Sequence, residues 1–215
     1  KIKDNRNQTC EGFGMTMRLI NSSNAILSEI TDFINGDEFN KCIAEKLNLS
    51  LEQTYVDSGI QKYLDGYEIS PHPDIRKKAS TFMVNINPSE LSESSNHHTH
   101  YMTFIEKRKY VEAFWSGNPE IERCWVPWEW CKSEKVQTRN NSIVIFSPSD
   151  DTLHAVKADY NHLTTQRTQL YGNIWYNESK CSSGCEWNNL DIISRFANQE
   201  SREQKIPKRK FLDKA

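Results

Sequence analysis

The first quarter of the chain has the apolar spacing of amphipathic helices. From Asn24 to Ile34 apolar residues recur every three or four positions, and Asn35-Gly36 ends the run as a helix stop. A second run from about Asp37 to Leu47 has the same spacing. Ser50-Leu-Glu-Gln53 has the form of a capping box and predicts a third, short helical piece. The sequence therefore predicts a helical N-terminal quarter.

From about Tyr67 onward, the pattern changes to short β-like runs separated by clusters of Pro, Ser, Asn and Asp. The runs are Thr81 to Ile86, Tyr101 to Ile105, Ser142 to Ser147 and Leu170 to Tyr176. They do not alternate with helices at the spacing of βαβ units. This pattern favours an α+β fold in which helices pack on one face of a mainly antiparallel sheet or barrel.

Length and composition narrow the classes of protein. The 215 residues suit one complete domain, and a net charge of −2 gives no reason to expect a nucleic-acid partner. The longest aliphatic and aromatic run, Ile143 to Phe146, is far too short to span a membrane. The polar start without an apolar signal core favours a cytoplasmic location. Cys181-x3-Cys185 is the one cysteine pair with zinc-compatible spacing, and free thiols are the simpler interpretation.

His72-Pro73-Asp74 is the only His-x-Asp in the chain. In an extended strand residues i and i+2 project from the same face, so this imidazole and carboxylate can reach one ion. A later run from Asn141 to Val156, interpreted as one strand, contains His154, and Arg167 opens the last β-like run.

In this order of parts, from about Tyr67 to Tyr176, the sequence resembles the iron(II)- and 2-oxoglutarate-dependent dioxygenases, in particular the prolyl-hydroxylase-like branch. The resemblance implies that His72, Asp74 and His154 are iron ligands and catalytic residues. It also implies that Arg167 binds the distal carboxylate of 2-oxoglutarate, and that Tyr67 touches this cosubstrate. Ascorbate is a possible reductant. Tyr63 and Tyr67 can equally be packing residues.

The fold implied is a double-stranded β-helix, that is, a jelly-roll, cupin-like barrel buttressed by the N-terminal helices. Under this hypothesis residues 1–215 form a single dioxygenase domain. Its parts are helical support over 18–65, the barrel over 66–176 with an aromatic-rich insertion at 89–138, and a basic tail over 200–215.

The residue types suit this chemistry independently of the family. Two imidazoles and one carboxylate leave open positions on a non-haem iron, unlike a closed structural zinc site. A guanidinium binds a buried carboxylate better than an ammonium does. Strand alternation favours Arg167 over Lys157 as this cation, because Arg167 shares a polar face with Gln169 and Asn173, and Leu170 and Ile174 take the other face.

Two further groups carry competing interpretations. His97, His98 and His100 lie in a Ser/Asn-rich stretch and are interpreted as exposed loop histidines. Four of the six tryptophans lie between Pro88 and Thr138, and they form either a platform for a flat or sugar-like substrate or a small satellite core.

The resemblance thus implies a hydroxylase that uses iron(II), 2-oxoglutarate and dioxygen and releases succinate and CO2. The substrate stays open between a protein prolyl residue, an amino acid and a sugar. It would accordingly be presented as a peptide, a small molecule or a glycan. The alternative is a non-catalytic jelly-roll binding module that retains the pocket.

Overall fold

A computed structural model describes residues 9–19, 21–118, 121, 123–157 and 167–178. Helices α1 (Ala25–Asn35) and α2 (Asp37–Leu47) lie where the apolar spacing predicts them, and Asn24 caps α1 by accepting a hydrogen bond from the Leu27 amide. The third predicted helical piece is wrong, because residues 50–53 form a turn that leads into a strand. Helix α3 (Tyr110–Gly117) and three short 3-10 helices complete the helical elements described: Glu90–Ser94, Glu106–Arg108 and Trp128–Trp130.

In the described part of the chain, nine strands form two antiparallel sheets. In chain order they are β1 (Thr16–Arg18), β2 (Thr54–Tyr63), β3 (Ile69–His72), β4 (Lys78–Asn85), β5 (Thr99–Phe104), β6 (Cys131–Val136), β7 (Ser142–Phe146), β8 (Leu153–Val156) and β9 (Thr168–Tyr176). The larger sheet has the spatial order β1-β2-β9-β4-β7, and the smaller has the order β3-β8-β5-β6. The predicted α+β arrangement with mainly antiparallel sheets is confirmed.

The helices cover one face of the larger sheet. Ile34 of α1 and Ile43 of α2 pack with Phe82 of β4 and with Leu170 and Ile174 of β9 in one buried apolar cluster. The opposite face of β9 carries the buried polar side chains of this strand, as strand alternation predicts. Apolar burial on one face therefore anchors the helices and leaves the polar face for the space between the sheets.

The polar face of the larger sheet meets the smaller sheet. Tyr101 of β5 packs edge-on against Phe146 of β7, with ring centroids 6.0 Å apart, and Phe146 in turn packs against His154 of β8 at 5.3 Å. The side-chain amide of Gln137 donates to the Met83 carbonyl at 3.0 Å. These contacts join the two sheets, and the contact of Phe146 with His154 includes β8, which carries a predicted site residue.

Three predicted boundaries need correction. The helical support expected over 18–65 ends with α2, because β2 occupies residues 54–63 and pairs along its length with β9. The single strand expected from Asn141 to Val156 is two strands in different sheets, joined by a turn. The insertion expected at 89–138 contributes β5 and β6, so it is part of the smaller sheet and not an addition to it.

Within the described part of the chain, no helix is long and apolar enough to cross a membrane. The basic tail and the Cys181/Cys185 pair lie outside the described residues. Cys124 and Cys131, the other close pair, are both free thiols.

Candidate metal centre and cosubstrate pocket

Strands β3 and β8 bring together three potential metal ligands. His72 ends β3 and is the register partner of His154 on β8, and Asp74 follows His72 by two residues. One ligand atom from each of the three side chains lies within 4.8 Å of the other two. The antiparallel pairing of β3 with β8 thus brings together residues that are about 80 positions apart in the sequence, as the resemblance implies.

The local environment of His72 suits a ligand imidazole. Its Nδ1 lies 2.8 Å from the Ser70 carbonyl oxygen, so Nδ1 donates there and Nε2 is left with its lone pair for a cation. Burial and the neighbouring His154 lower the pKa of His72 to about 3. Burial likewise lowers the pKa of His154. Both imidazoles are therefore neutral at neutral pH, the form that binds metals.

Asp74 is held at both oxygens. Its Oδ1 accepts a hydrogen bond from the Lys78 ammonium at 2.6 Å, and its Oδ2 accepts one from the Thr81 hydroxyl at 2.7 Å. Burial opposes ionisation of this carboxyl, but the facing imidazoles and Lys78 outweigh it and hold its pKa below the usual range. Asp74 is therefore a carboxylate, and the donor set of two neutral imidazoles and one carboxylate fits iron(II).

Lys78 is charged in spite of its burial. Its side chain is only 10% exposed, and burial alone would lower its pKa, yet the Asp74 carboxylate raises the pKa above the ordinary lysine value. The ammonium also donates to the Tyr171 hydroxyl at 3.1 Å. Lys78 and Thr81 were not predicted as site residues, because their contacts with Asp74 depend on the turn that precedes β4.

Arg167 is a buried cation with unused hydrogen-bonding capacity. It is 2% exposed, and its Nη2 donates to the Thr99 hydroxyl at 3.0 Å and to the Gln169 side-chain oxygen at 3.2 Å. Among the described residues, its Nε and Nη1 have no hydrogen-bond partner. Buried donors of this kind are nearly always satisfied in folded proteins, so this guanidinium fits an anionic ligand such as a carboxylate.

Two tyrosines, whose ring centroids are 4.8 Å apart, lie beside this guanidinium. The Arg167 Cζ lies 3.9 Å from the Tyr63 ring centroid and 5.8 Å from that of Tyr67. Burial, which is the largest influence, raises the pKa of both phenols, so both are neutral hydrogen-bond donors at neutral pH. The structure thus places the predicted Tyr67 near Arg167 and Tyr63 nearer still.

Two predictions about other side chains have different outcomes. Lys157 is exposed at the end of β8, in agreement with the preference for Arg167. The interpretation of the histidine-rich stretch as an exposed loop is wrong for His97 and His98, which are buried. The His98 Nε2 lies 2.7 Å from the Ser92 carbonyl oxygen, and His100 on β5 is bonded to the Ser133 hydroxyl. The sequence pattern could not reveal this burial, because it comes from packing of the adjoining 3-10 turn.

The tryptophan-rich stretch packs largely as a satellite core. Trp128 and Trp130 lie against a buried cluster that includes Val111, Val126 and Leu153. Trp115 is 2% exposed, and the Arg76 guanidinium lies 4.2 Å from its ring centroid. Of the two interpretations, these contacts support the packing role.

A cleft of about 270 Å³ opens beside Asp74. Its lining combines charged, hydroxyl and aromatic groups and includes Arg76, Lys78, Trp115, Ser147 and Tyr176. The Arg76 guanidinium is already bonded to the carbonyl oxygens of Trp115, Asn118 and Ile121. Of the two cations in this cleft, Lys78 is the one that contacts a candidate metal ligand.

The chain is similar to several solved structures. One is a prolyl-4-hydroxylase from Pseudomonas putida, at 11% identity over 76% of this chain and 72% of that chain, with a TM-score of 0.47. A second is an oxidoreductase of the 2OG-Fe(II) oxygenase family from Burkholderia pseudomallei, at 9% identity over 72% and 58% of the two chains, with a TM-score of 0.40.

A third is EvdO2 from Micromonospora carbonacea var. aurantiaca in complex with 2-oxoglutarate, at 10% identity over 80% of this chain and 71% of that chain, with a TM-score of 0.41. Of these three structures, the first is named as a prolyl-4-hydroxylase, the second as a member of the 2OG-Fe(II) oxygenase family, and the third contains 2-oxoglutarate. Neither a family model nor a curated protein matches the sequence.

Proposed function

We propose that this protein is an iron(II)- and 2-oxoglutarate-dependent dioxygenase that hydroxylates its substrate. One observation carries the proposal: two neutral imidazoles and a carboxylate converge from β3, β8 and the segment after β3, with their ligand atoms within 4.8 Å of one another. Iron(II) in this site, with bound 2-oxoglutarate, would supply the activation of dioxygen. In the overall reaction 2-oxoglutarate, dioxygen and a C–H bond give succinate, CO2 and a C–OH group.

The proposed roles follow from the geometry. His72, Asp74 and His154 hold the metal and leave positions open for cosubstrate and dioxygen. Arg167 binds the distal carboxylate of 2-oxoglutarate with the two nitrogens that have no partner among the described residues. Tyr63 and Tyr67, which both lie beside the guanidinium with their ring centroids 4.8 Å apart, orient that carboxylate.

The fold proposed for this site is the jelly-roll barrel that the resemblance implies. The two antiparallel sheets that meet through Tyr101 and Phe146 support it, as do the helices packed outside the larger sheet. The substrate class stays open between a prolyl residue, an amino acid and a sugar. The substrate would enter by the cleft beside Asp74.

The proposal is tested by incubating the protein with iron(II), ascorbate as reductant and isotopically labelled 2-oxoglutarate, and measuring labelled succinate. We expect slow succinate formation even without added substrate, and its loss in His72→Ala, Asp74→Asn and His154→Ala. His100→Gln is the matched control, because His100 is a histidine of the same sheet bonded to Ser133. Unchanged turnover in any of the three ligand variants would exclude this metal centre.

The same samples distinguish the alternative function. A non-catalytic binding module would bind metal and 2-oxoglutarate, observed by calorimetry, without releasing labelled succinate. The set of ligand residues is complete, and this favours the enzyme.

A further inference from the structure

A buried ammonium lies on the oxygen of Asp74 that faces the candidate metal centre. The Asp74 Oδ1 is 3.8 Å from the His154 Nε2, and this same oxygen is 2.6 Å from the Lys78 Nζ. The other oxygen, Oδ2, is bonded to the Thr81 hydroxyl. Among the contacts described, Lys78 therefore bonds the carboxylate oxygen nearest to the second imidazole ligand, His154.

This contact costs metal affinity in either of two ways. A cation bound between the imidazoles and Oδ1 must share this oxygen with the ammonium or displace it. Sharing places two positive charges a few ångströms apart in a buried site, where charges are poorly screened. Displacement breaks a short, charge-assisted hydrogen bond to a buried carboxylate.

The surroundings of Lys78 allow such a displacement. Its ammonium already donates to the Tyr171 hydroxyl and lies 5.6 Å from the Tyr171 ring centroid and 5.3 Å from that of Trp175. Aromatic faces stabilise a nearby cation, so they can hold the ammonium after it leaves Oδ1. In the metal-free protein the ammonium prevents the buried Asp74 from being an uncompensated charge.

We propose that Lys78 is a built-in counter-cation that competes with the metal ion for Asp74 and thereby sets the metal affinity of the centre. The inference rests on the proposed iron site, and it assigns Lys78 a role in the metal-free as well as in the loaded protein. Lys78 stabilises the empty site, and the metal ion replaces its charge on binding.

The test is a calorimetric titration of the full chain with cobalt(II), which needs no dioxygen and no turnover. Lys78→Met keeps much of the side-chain volume and removes the charge. We expect it to bind cobalt(II) about tenfold more tightly than the unmodified protein, a difference of about 1.4 kcal/mol. Lys78→Gln retains a hydrogen-bond donor for Asp74 without the charge, and its affinity for cobalt(II) should also be higher than that of the unmodified protein. Lys77→Met is the matched control, because it removes the charge of the adjacent lysine, whose Nζ lies over the Tyr55 ring at 5.9 Å.

Thermal melts of the same variants provide a second readout. Metal-free Lys78→Met should melt below the unmodified protein, because Asp74 loses its ammonium, and the increase on adding cobalt(II) should be larger in the variant. If Lys78→Met and Lys78→Gln bind cobalt(II) as tightly as the unmodified protein or more weakly, Lys78 only orients Asp74 and the proposal is overturned. If the unmodified protein and His72→Ala both fail to bind cobalt(II), the proposed iron site itself is wrong.

Discussion

Replacing Arg167 by methionine separates a binding role from a structural one. The guanidinium is 2% exposed, so its desolvation costs several kcal/mol in the ligand-free protein. Its two hydrogen bonds, to Thr99 and Gln169, contribute about 1 kcal/mol each, and the desolvated contact with Tyr63 contributes about 2 kcal/mol. These contributions nearly cancel the cost, so Arg167→Met should leave the ligand-free melting temperature within a few degrees of the original.

The effect on cosubstrate binding should be large by comparison. A carboxylate that is buried without its charged partner loses about 2–5 kcal/mol of binding free energy, which is about 30-fold in affinity at the lower limit. At a 2-oxoglutarate concentration of 100 times the dissociation constant, binding stabilises the unmodified protein by about 2.7 kcal/mol. A 30-fold weaker variant keeps about 0.9 kcal/mol of this stabilisation.

The assay is therefore a pair of melts with and without 2-oxoglutarate, in protein loaded with manganese(II) to prevent turnover. For a protein of this size the unmodified chain should gain about 5–10 °C and Arg167→Met about 2–4 °C. Arg76→Met is the structural control: it loses the bonds to the Trp115 and Asn118 carbonyls, so it should lower both melting temperatures and keep the gain. A strongly destabilised Arg167→Met with an unchanged gain would refute the binding role.

Two further predictions concern stability. The pKa of His72 is lowered to about 3 in the folded chain, so below its ordinary value of about 6.5 the unfolded state takes up a proton that the folded state excludes. From this residue the metal-free protein should therefore lose up to about 1.4 kcal/mol of unfolding free energy per pH unit between pH 6.5 and 4. Denaturant unfolding of His72→Gln should show a smaller fall of the unfolding free energy over this pH range, and an equally steep fall would contradict this. Gly172 of β9 faces Phe82 of β4 so closely that an added Cβ would overlap the ring. Gly172→Ala should therefore lower the melting temperature by about 2–10 °C, and Phe82→Leu in that background should recover part of the loss. A Gly172→Ala protein that melts at the original temperature would show that β4 and β9 can separate at no cost.

Local periodicity determined the elements whose partners lie nearby in sequence. The apolar spacing and the Asn35-Gly36 stop place α1 and α2, because a helix satisfies its own backbone hydrogen bonds. Alternation along β9 likewise predicts which side chains face the helices and which, including Arg167, face the polar interior. His72 and Asp74 are only two residues apart, so this short separation keeps both in the candidate site although β3 ends at His72.

Only the tertiary structure decided the features that depend on strands distant in sequence. The β2 strand was missed because its partner is β9, more than 100 residues later, and the capping-box pattern at residues 50–53 is also compatible with a turn. Strands β7 and β8 belong to different sheets, which no periodicity distinguishes from one continuous strand. The contact of Lys78 with Asp74 needs both the turn before β4 and the burial supplied by β9. Burial and pairing across long separations are properties of the assembled sheets, and a local pattern of apolar and polar residues does not contain them.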